Sequence, residues 1–272
     1  MTLLVFDSGI GGLSVLREVR LILPRRRIVY VGDDAGFPYG GREEHALVGR
    51  VAALFERYVA AFEPELAIVA CNTASTLIMP ALRERFALPI VGTVPPIKPA
   101  AERTASGLVT VLATPGTVRR PYVAELIRRF ADHCEVNLVG STRLATMAER
   151  HMQGEPVEPD ALAAEIRPCF VEKDGRRTDI VILGCTHYPF LVHEMRKVAP
   201  WPVDWLEPAE AIARRALSLL GDADHWDTRE DVAMMTSGLP PPPLAKLLAG
   251  FGLVPRRPIG PPIRDLPAVP LA

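Results

Sequence analysis

Cysteine is scarce in this chain. Its 272 residues contain four, Cys71, Cys134, Cys169 and Cys185. That density is too low for a disulfide framework, and no two of them form the Cys-x-x-Cys unit common in structural zinc sites. An excess of either charge is also missing. The formal net charge is −1, so no global basic field points to nucleic acid. The short basic runs Arg25-Arg26-Arg27 and Arg119-Arg120 stand beside prolines and read as solvated turns. No apolar run reaches the ~18 residues that a membrane helix requires. The first seven residues lack the basic-then-apolar order of a signal peptide, which points to a cytoplasmic protein. What is present is ordinary globular material, 49% hydrophobic and 23% charged, in a chain long enough for one large or two smaller domains.

Short apolar runs alternate with amphipathic stretches. Strands are expected at 3–6, 28–31, 66–70 and 90–91, with helices at 13–23, 43–62 and 75–86. The pattern then restarts, with strands at 108–112, 136–138 and 180–183 and helices at 118–130 and 189–198. A helix at 209–220 and an apolar run at 231–236 follow. Such alternation implies parallel sheets covered by helices on both faces. The interval from Asp7 to Cys71 nearly equals that from Thr114 to Cys185, which suggests two related halves. The expected fold is therefore α/β, with two similar doubly wound domains, mainly parallel sheets and an active site in the cleft between them. Residues 1–94 plus 207–253 would form the first domain and 95–206 the second. Residues 254–272 would be a proline-rich tail lying over the surface or disordered, because ten of the 27 prolines fall in 239–272.

Two segments look like copies of one design. Residues 66–70 lead into Cys71-Asn72-Thr73-Ala74-Ser75, and residues 179–184 lead into Cys185-Thr186-His187-Tyr188-Pro189. Each thiol is expected at the carboxyl end of a strand and the amino end of a helix. Open parallel sheets bind ligands there, and a helix amino terminus favours thiolate over thiol. Asp7-Ser8, Asp33 and Pro38-Tyr39-Gly40 fall at equivalent strand ends. The glycine-rich run Asp7-Ser8-Gly9-Ile10-Gly11-Gly12 resembles a phosphate-cradling loop but lacks the spacing and lysine of nucleotide fingerprints. His187 is close enough to tune Cys185 or pass it a proton. The other histidines, His45, His133, His151, His193 and His225, fall in polar stretches and read as surface residues. Cys134 and Cys169 read as structural thiols. Zinc lacks a ligand set, since only Cys185 and His187 are near neighbours. A cysteine hydrolase with His187 as base leaves the second cysteine segment unused.

Taken together, residues 6–14, Pro38-Tyr39-Gly40, Ala70-Cys71-Asn72-Thr73-Ala74-Ser75 and Leu183-Gly184-Cys185-Thr186-His187-Tyr188-Pro189 resemble the glutamate racemase family, within the cofactor-independent aspartate/glutamate racemase group. The likeness runs from about residue 3 to 238. It implies interconversion of L- and D-glutamate without cofactor or metal, supplying D-glutamate for peptidoglycan. It assigns Cys71 and Cys185 as the two acid/base groups, with Asp7 and His187 assisting. Cys71 would deprotonate the D-enantiomer and Cys185 the L-enantiomer. Asp7, Ser8, Tyr39, Gly40, Asn72, Thr73, Thr186 and His187 match substrate-binding positions, and Asp33 and Glu149 match acidic positions near the site. The expected partner is glutamate, with no nucleic acid and no membrane; the family commonly forms homodimers. Two departures stand out. Gly140-Ser141-Thr142 replaces a common Cys-Pro pair, and Arg119-Arg120-Pro121 falls where a small polar residue is common. An aspartate or hydantoin racemase relative and a non-catalytic amino-acid-binding module are the alternatives.

Overall fold

The computed structural model describes residues 1–221 and 226–261. His225 and the last part of the expected tail, 262–272, lie outside the described residues. The chain divides into two compact units, residues 1–93 with 209–272 and residues 94–208.

The first unit begins β1 (Thr2–Asp7), α1 (Leu13–Ile22), β2 (Arg27–Gly32), α2 (Glu44–Phe62), β3 (Leu66–Val69), α3 (Asn72–Arg85) and β4 (Ile90–Gly92). The second contains α4 (Ile97–Arg103), β5 (Leu108–Ala113), α5 (Pro115–Val118), α6 (Pro121–Phe130), β6 (Glu135–Gly140), α7 (Leu144–Met152) and α8 (Pro159–Ile166). It continues with the hairpin strands β7 (Glu172–Lys173) and β8 (Arg176–Arg177), then β9 (Ile180–Gly184), α9 (Val192–Val198) and β10 (Asp204–Leu206). The chain returns to the first unit for α10 (Ala209–Leu220), β11 (Val232–Met235), α11 (Pro242–Gly250) and β12 (Val254–Arg256).

The first unit carries a six-stranded sheet in the order β12-β11-β2-β1-β3-β4 and the second a four-stranded sheet in the order β10-β9-β5-β6. Every pairing in both is parallel. Read from one side, β2-β1-β3-β4 and β6-β5-β9-β10 are the same arrangement. The internal repeat suspected from the sequence is thus a repeat of topology. In each unit the chain leaves its first strand toward one edge and later crosses to that strand's other side. The crossing creates a switch point at β1/β3 in one sheet and at β5/β9 in the other, where loops diverge and leave a crevice at the strands' carboxyl ends.

The central strands are continuous apolar runs because helices cover both faces. All six residues of β1 and all five of β9 are buried. In the first unit Phe6 meets Phe55 of α2 edge-on with ring centroids 5.2 Å apart, within a core that includes Val31, Val51, Val69 and Ile78. In the second, Val109, Val111, Ile180 and Ile182 pack with Ile97 of α4 and Val123 of α6.

Three expectations need correction. The helix expected at 118–130 begins only at Pro121, as α6, and Val118 instead ends the short helix α5. Pro121 cannot continue a helix through its missing N–H, and Arg120 before it is extended at φ −70°, ψ 132°. The helix expected from residue 189 starts later. A 3-10 turn over Tyr188–Leu191, with Pro189 in its first turn, precedes α9. The expected tail also begins too early. Residues 254–256 form β12, which pairs in parallel with β11 and so belongs to the sheet.

Candidate functional site

In the first unit, Asp7 ends β1 and is fully buried. Its carboxylate accepts a 2.8 Å hydrogen bond from the Gly9 amide. The amides of Leu13 and Ser14 are bonded to Ile10 and Gly11 carbonyls. Within the glycine-rich run the Gly9 N–H is thus spent on Asp7, and the Ile10 and Gly11 carbonyls hold the first turn of α1. The run's glycines have a packing reason. A Cβ on Gly12 would stand 2.9 Å from the Asp7 Cβ and 3.1 Å from the Tyr30 hydroxyl, which itself donates to the Gly9 carbonyl at 2.7 Å.

Cys71 is the residue before α3, with extended backbone (φ −94°, ψ 120°), and its sulfur lies 3.6 Å from the Ser8 hydroxyl of the neighbouring strand end. Fourteen residues of helix follow, so the partial positive charge of the α3 amino terminus falls beside this sulfur and favours its thiolate. Asn72 is buried, and neither its amide nitrogen nor its oxygen has a hydrogen-bond partner among the described residues. A buried amide with both functions unmet is costly, and a polar ligand at this position removes the cost. Thr73 is buried one residue further on. Ser75 ties the helix to β3 by donating to the Val69 carbonyl at 2.9 Å, while Thr93 reaches the same carbonyl at 2.8 Å.

Asp33 follows β2 and is wholly buried. Arg50 grips it with two 2.6 Å bonds, the Thr236 hydroxyl donates at 2.6 Å, and the Tyr39 hydroxyl also donates to it. Burial, and next the negative charge of Asp33, hold the Tyr39 hydroxyl well above its usual pKa, so it remains a neutral donor. Arg50 and Thr236 were not anticipated. Their sequence neighbourhoods are an amphipathic helix and a strand end, and nothing local marks either as paired with Asp33.

In the second unit, Cys185 directly follows β9. A Cβ on the preceding Gly184 would come 2.8 Å from the Ala113 Cβ of β5, so only glycine allows the two strands their close approach here. Since a 3-10 turn follows, Cys185 does not open an α-helix, contrary to expectation. Its neighbour is a side chain. The Cys185 sulfur lies 3.7 Å from His187 Nδ1, and His187 Nε2 lies 2.9 Å from Glu149 Oε1 on α7. His187 is buried and Glu149 half-buried, so the carboxylate acts on the ring with little screening by water. With Nε2–H donating to Glu149, Nδ1 is left to accept from the thiol; a protonated ring would instead donate to the thiolate. Thr186 is buried between them in sequence.

The departure at 140–142 also has a local role. Ser141 Oγ accepts from the Leu144 amide at 3.0 Å and donates to Glu165 at 2.6 Å, bracing the first residue of the helix that carries Glu149. The structure therefore groups Asp7, Ser8, Cys71, Asn72 and Thr73 at one switch point and Cys185, Thr186, His187 and Glu149 at the other. Asp33 and Tyr39 stand in a second buried network of the first unit, and Tyr39 shares a hydrophobic cluster with Cys71. Of the remaining cysteines, Cys169 is fully buried and its thiol is pushed up to about 12 by desolvation, while Cys134 is raised for the same first reason. Neither belongs to these groups. Among the described residues, no cluster of three or more His, Cys, Asp or Glu could hold a metal ion, and no helix is long and apolar enough to cross a membrane.

The chain is thus a duplicated parallel α/β unit with one thiol at the switch point of each sheet. The family model described as Asp/Glu/Hydantoin racemase matches residues 14–216, and the chain belongs to that family. It is 58% identical over 255 residues to the glutamate racemase of Brucella canis, with 92% of each chain covered. The crystal structure of Escherichia coli glutamate racemase in complex with L-glutamate and the activator UDP-MurNAc-Ala is similar at TM-score 0.86 and 42% identity, covering 93% of this chain and 96% of that one. Glutamate racemase RacE1 of Bacillus anthracis is similar at TM-score 0.82 and 26% identity, covering 97% and 98%.

Proposed function

We propose that this chain interconverts L- and D-glutamate by a two-base mechanism without cofactor, and so supplies D-glutamate for peptidoglycan in the cytoplasm. The observation that carries the reading is the placement of two thiols at equivalent switch points of a duplicated fold, each with its own polar partner. The high identity to glutamate racemases supports glutamate as substrate.

Racemisation breaks the Cα–H bond on one face and forms it again on the other. In the L-to-D direction, the Cys185 thiolate takes the α-proton and becomes a thiol, the electron pair delocalises into the α-carboxylate, and the Cys71 thiol returns a proton to the opposite face. The D-to-L direction runs the same steps backwards, with Cys71 as base. One sulfur must therefore start as thiolate and the other as thiol. The helix amino terminus and Ser8 serve Cys71, and His187 backed by Glu149 serves Cys185 (chemically unequal helpers for one pair of roles). Asp7 assists beside Cys71. The α-proton is weakly acidic, so fixed donors must stabilise the charge that develops on the carboxylate. The unmet amide of Asn72, the hydroxyls of Ser8, Thr73 and Thr186, and the Gly40 backbone are the groups proposed to hold the carboxylates. The Tyr39 hydroxyl, whose own proton is donated to Asp33, is left to accept from the ammonium.

The test follows L- and D-glutamate by circular dichroism with no added cofactor, with aspartate as comparison and with α-proton exchange read in D₂O. Cys71→Ala and Cys185→Ala are each expected to lower racemisation by more than about 10³-fold in both directions with the fold intact. Full activity in either variant refutes the two-base mechanism. Exchange with aspartate alone would favour the aspartate relative, and glutamate binding with no exchange would favour a binding module. A homodimer is the proposed assembly, checked by light scattering.

A further inference from the structure

The buried network around Asp33 is more elaborate than a site carboxylate needs. We propose that Arg50 is a positioning residue for the substrate: by clamping Asp33 it fixes the Tyr39 hydroxyl and the adjoining Gly40 in their receiving arrangement. This rests on the proposed function, which gives Tyr39 and Gly40 to substrate binding.

Among the described residues, the Asp33 carboxylate accepts four hydrogen bonds. Asp33 Oδ1 accepts from Arg50 Nη2 and from the Thr236 hydroxyl, each at 2.6 Å. Oδ2 accepts from Arg50 Nε at 2.6 Å and from the Tyr39 hydroxyl. Four donors occupy the four lone-pair positions of the carboxylate. A carboxylate so saturated is an anchor. Asp33 is therefore assigned a holding role.

Only Arg50 makes this anchor tolerable. Asp33 is 0% exposed, and Arg50 supplies the positive charge in a bidentate fork. Without the guanidinium, the carboxylate would keep two hydroxyl donors in a dry site, and water entering in place of Arg50 would loosen its hold on Tyr39. The loop from 33 to 42 is wrapped closely on the pair. A Cβ on Gly36 would stand 2.4 Å from Asp33 Oδ2 and 2.7 Å from Arg50 Nε. The Arg42 guanidinium donates to the Gly36 carbonyl, closing the wrap. The loop is also fastened from the far end of the chain, since the Ser237 amide donates to Asp34 at 2.8 Å and the Ala35 amide to the Thr236 hydroxyl at 3.2 Å. Tyr39 shares its buried cluster with Cys71, so where its ring stands bears on the space beside the sulfur. A buried ion pair is a poor means of stabilising a fold, since an apolar pair of similar volume often does as well. Its use here is geometric: it fixes one position for a loop that carries two substrate-binding residues.

Arg50→Met keeps the length of the side chain and removes its charge and fork, and Arg50→Lys keeps the charge alone. Steady-state kinetics with glutamate, thermal melting, and hydrogen exchange of the 33–42 segment are measured on each full-length variant. The expected result is a KM raised at least tenfold in Arg50→Met with kcat changed less, a smaller rise in Arg50→Lys, and faster exchange in 33–42. Adding Tyr39→Phe to Arg50→Met should raise KM little further, because both act through one contact. A lowered melting temperature with KM unchanged in the folded protein would overturn the proposal, as would unaltered exchange in 33–42. If Arg50→Met does not fold, Arg50→Lys decides by the same readings. Absence of α-proton exchange in the wild-type protein would refute the racemase reading alone, and the exchange of 33–42 would still test the clamp.

Discussion

Replacing Glu149 by glutamine tests whether the second thiol depends on its own helper. Glutamine keeps the shape and an acceptor oxygen for His187 Nε2, which lies 2.9 Å from the present carboxylate, and it removes only the charge. That charge matters when the ring is protonated beside a thiolate. A hydrogen bond to a charged group contributes about 1.5–3 kcal/mol, and the Glu149 side chain is only 14% exposed, so little of this is lost to screening. At about 1.4 kcal/mol per factor of ten, the expected loss in kcat/KM is roughly 10- to 100-fold. The loss must be identical in both directions. L- and D-glutamate have equal free energy in an achiral solvent, so their equilibrium constant is unity and the two kcat/KM values are bound together. Asymmetry therefore shows in isotope effects. With the Cys185 side slowed, removal of deuterium from α-deuterated L-glutamate becomes limiting and the isotope effect on kcat/KM grows. From α-deuterated D-glutamate, the deuterium leaves through Cys71 before the slow step, and the effect shrinks toward unity. Circular dichroism with the two deuterated enantiomers makes the measurement. An unchanged kcat/KM, or isotope effects that remain equal from the two sides, would refute the assignment of Glu149 and His187 to Cys185.

Two further outcomes follow from groups away from the reaction. Cys169, with its thiol pushed up to about 12 by burial, should stay unalkylated in the native protein under conditions where iodoacetamide inactivates it, while glutamate protects Cys71 and Cys185. Peptide mapping that found Cys169 modified first would contradict this. Asp227 is held well below the usual carboxylate range, chiefly by the Arg229 side chain, which approaches it at 2.6 Å. A depressed pKa contributes stability above the unfolded value of ~3.9, and that contribution fades as pH falls toward the folded value. Asp227→Asn should therefore lower the melting temperature by a few degrees at pH 7, with the gap to wild type closing below about pH 4. A gap that widened in acid would show the sign to be wrong.

Much of the site was legible because its signals are local. A strand that stops at a thiol, with small polar residues after it, reads the same in sequence as in space at both Cys71 and Cys185. Contacts made across the sheet were not. Thr236 reaches Asp33 from a strand more than two hundred positions away, and only the β11–β2 pairing brings them together. Glu149 was placed by resemblance alone, and its bond to His187 depends on how α7, its first amide held by Ser141, lies against the turn after β9.

The sequence by itself determined the alternation of strand and helix and the two thiols at strand ends, since each follows from the side chains within a few residues. Tertiary structure decided what surrounds each thiol. Period and propensity carry no record of strand order, and strand order is what sets the Ser8 hydroxyl near Cys71 and gathers Arg50, Tyr39 and Thr236 onto one carboxylate. The same limit explains the one local misreading at the site. The turn after Cys185 tightens into 3-10 geometry before α9 begins, and the sulfur meets an imidazole where a helix terminus was expected.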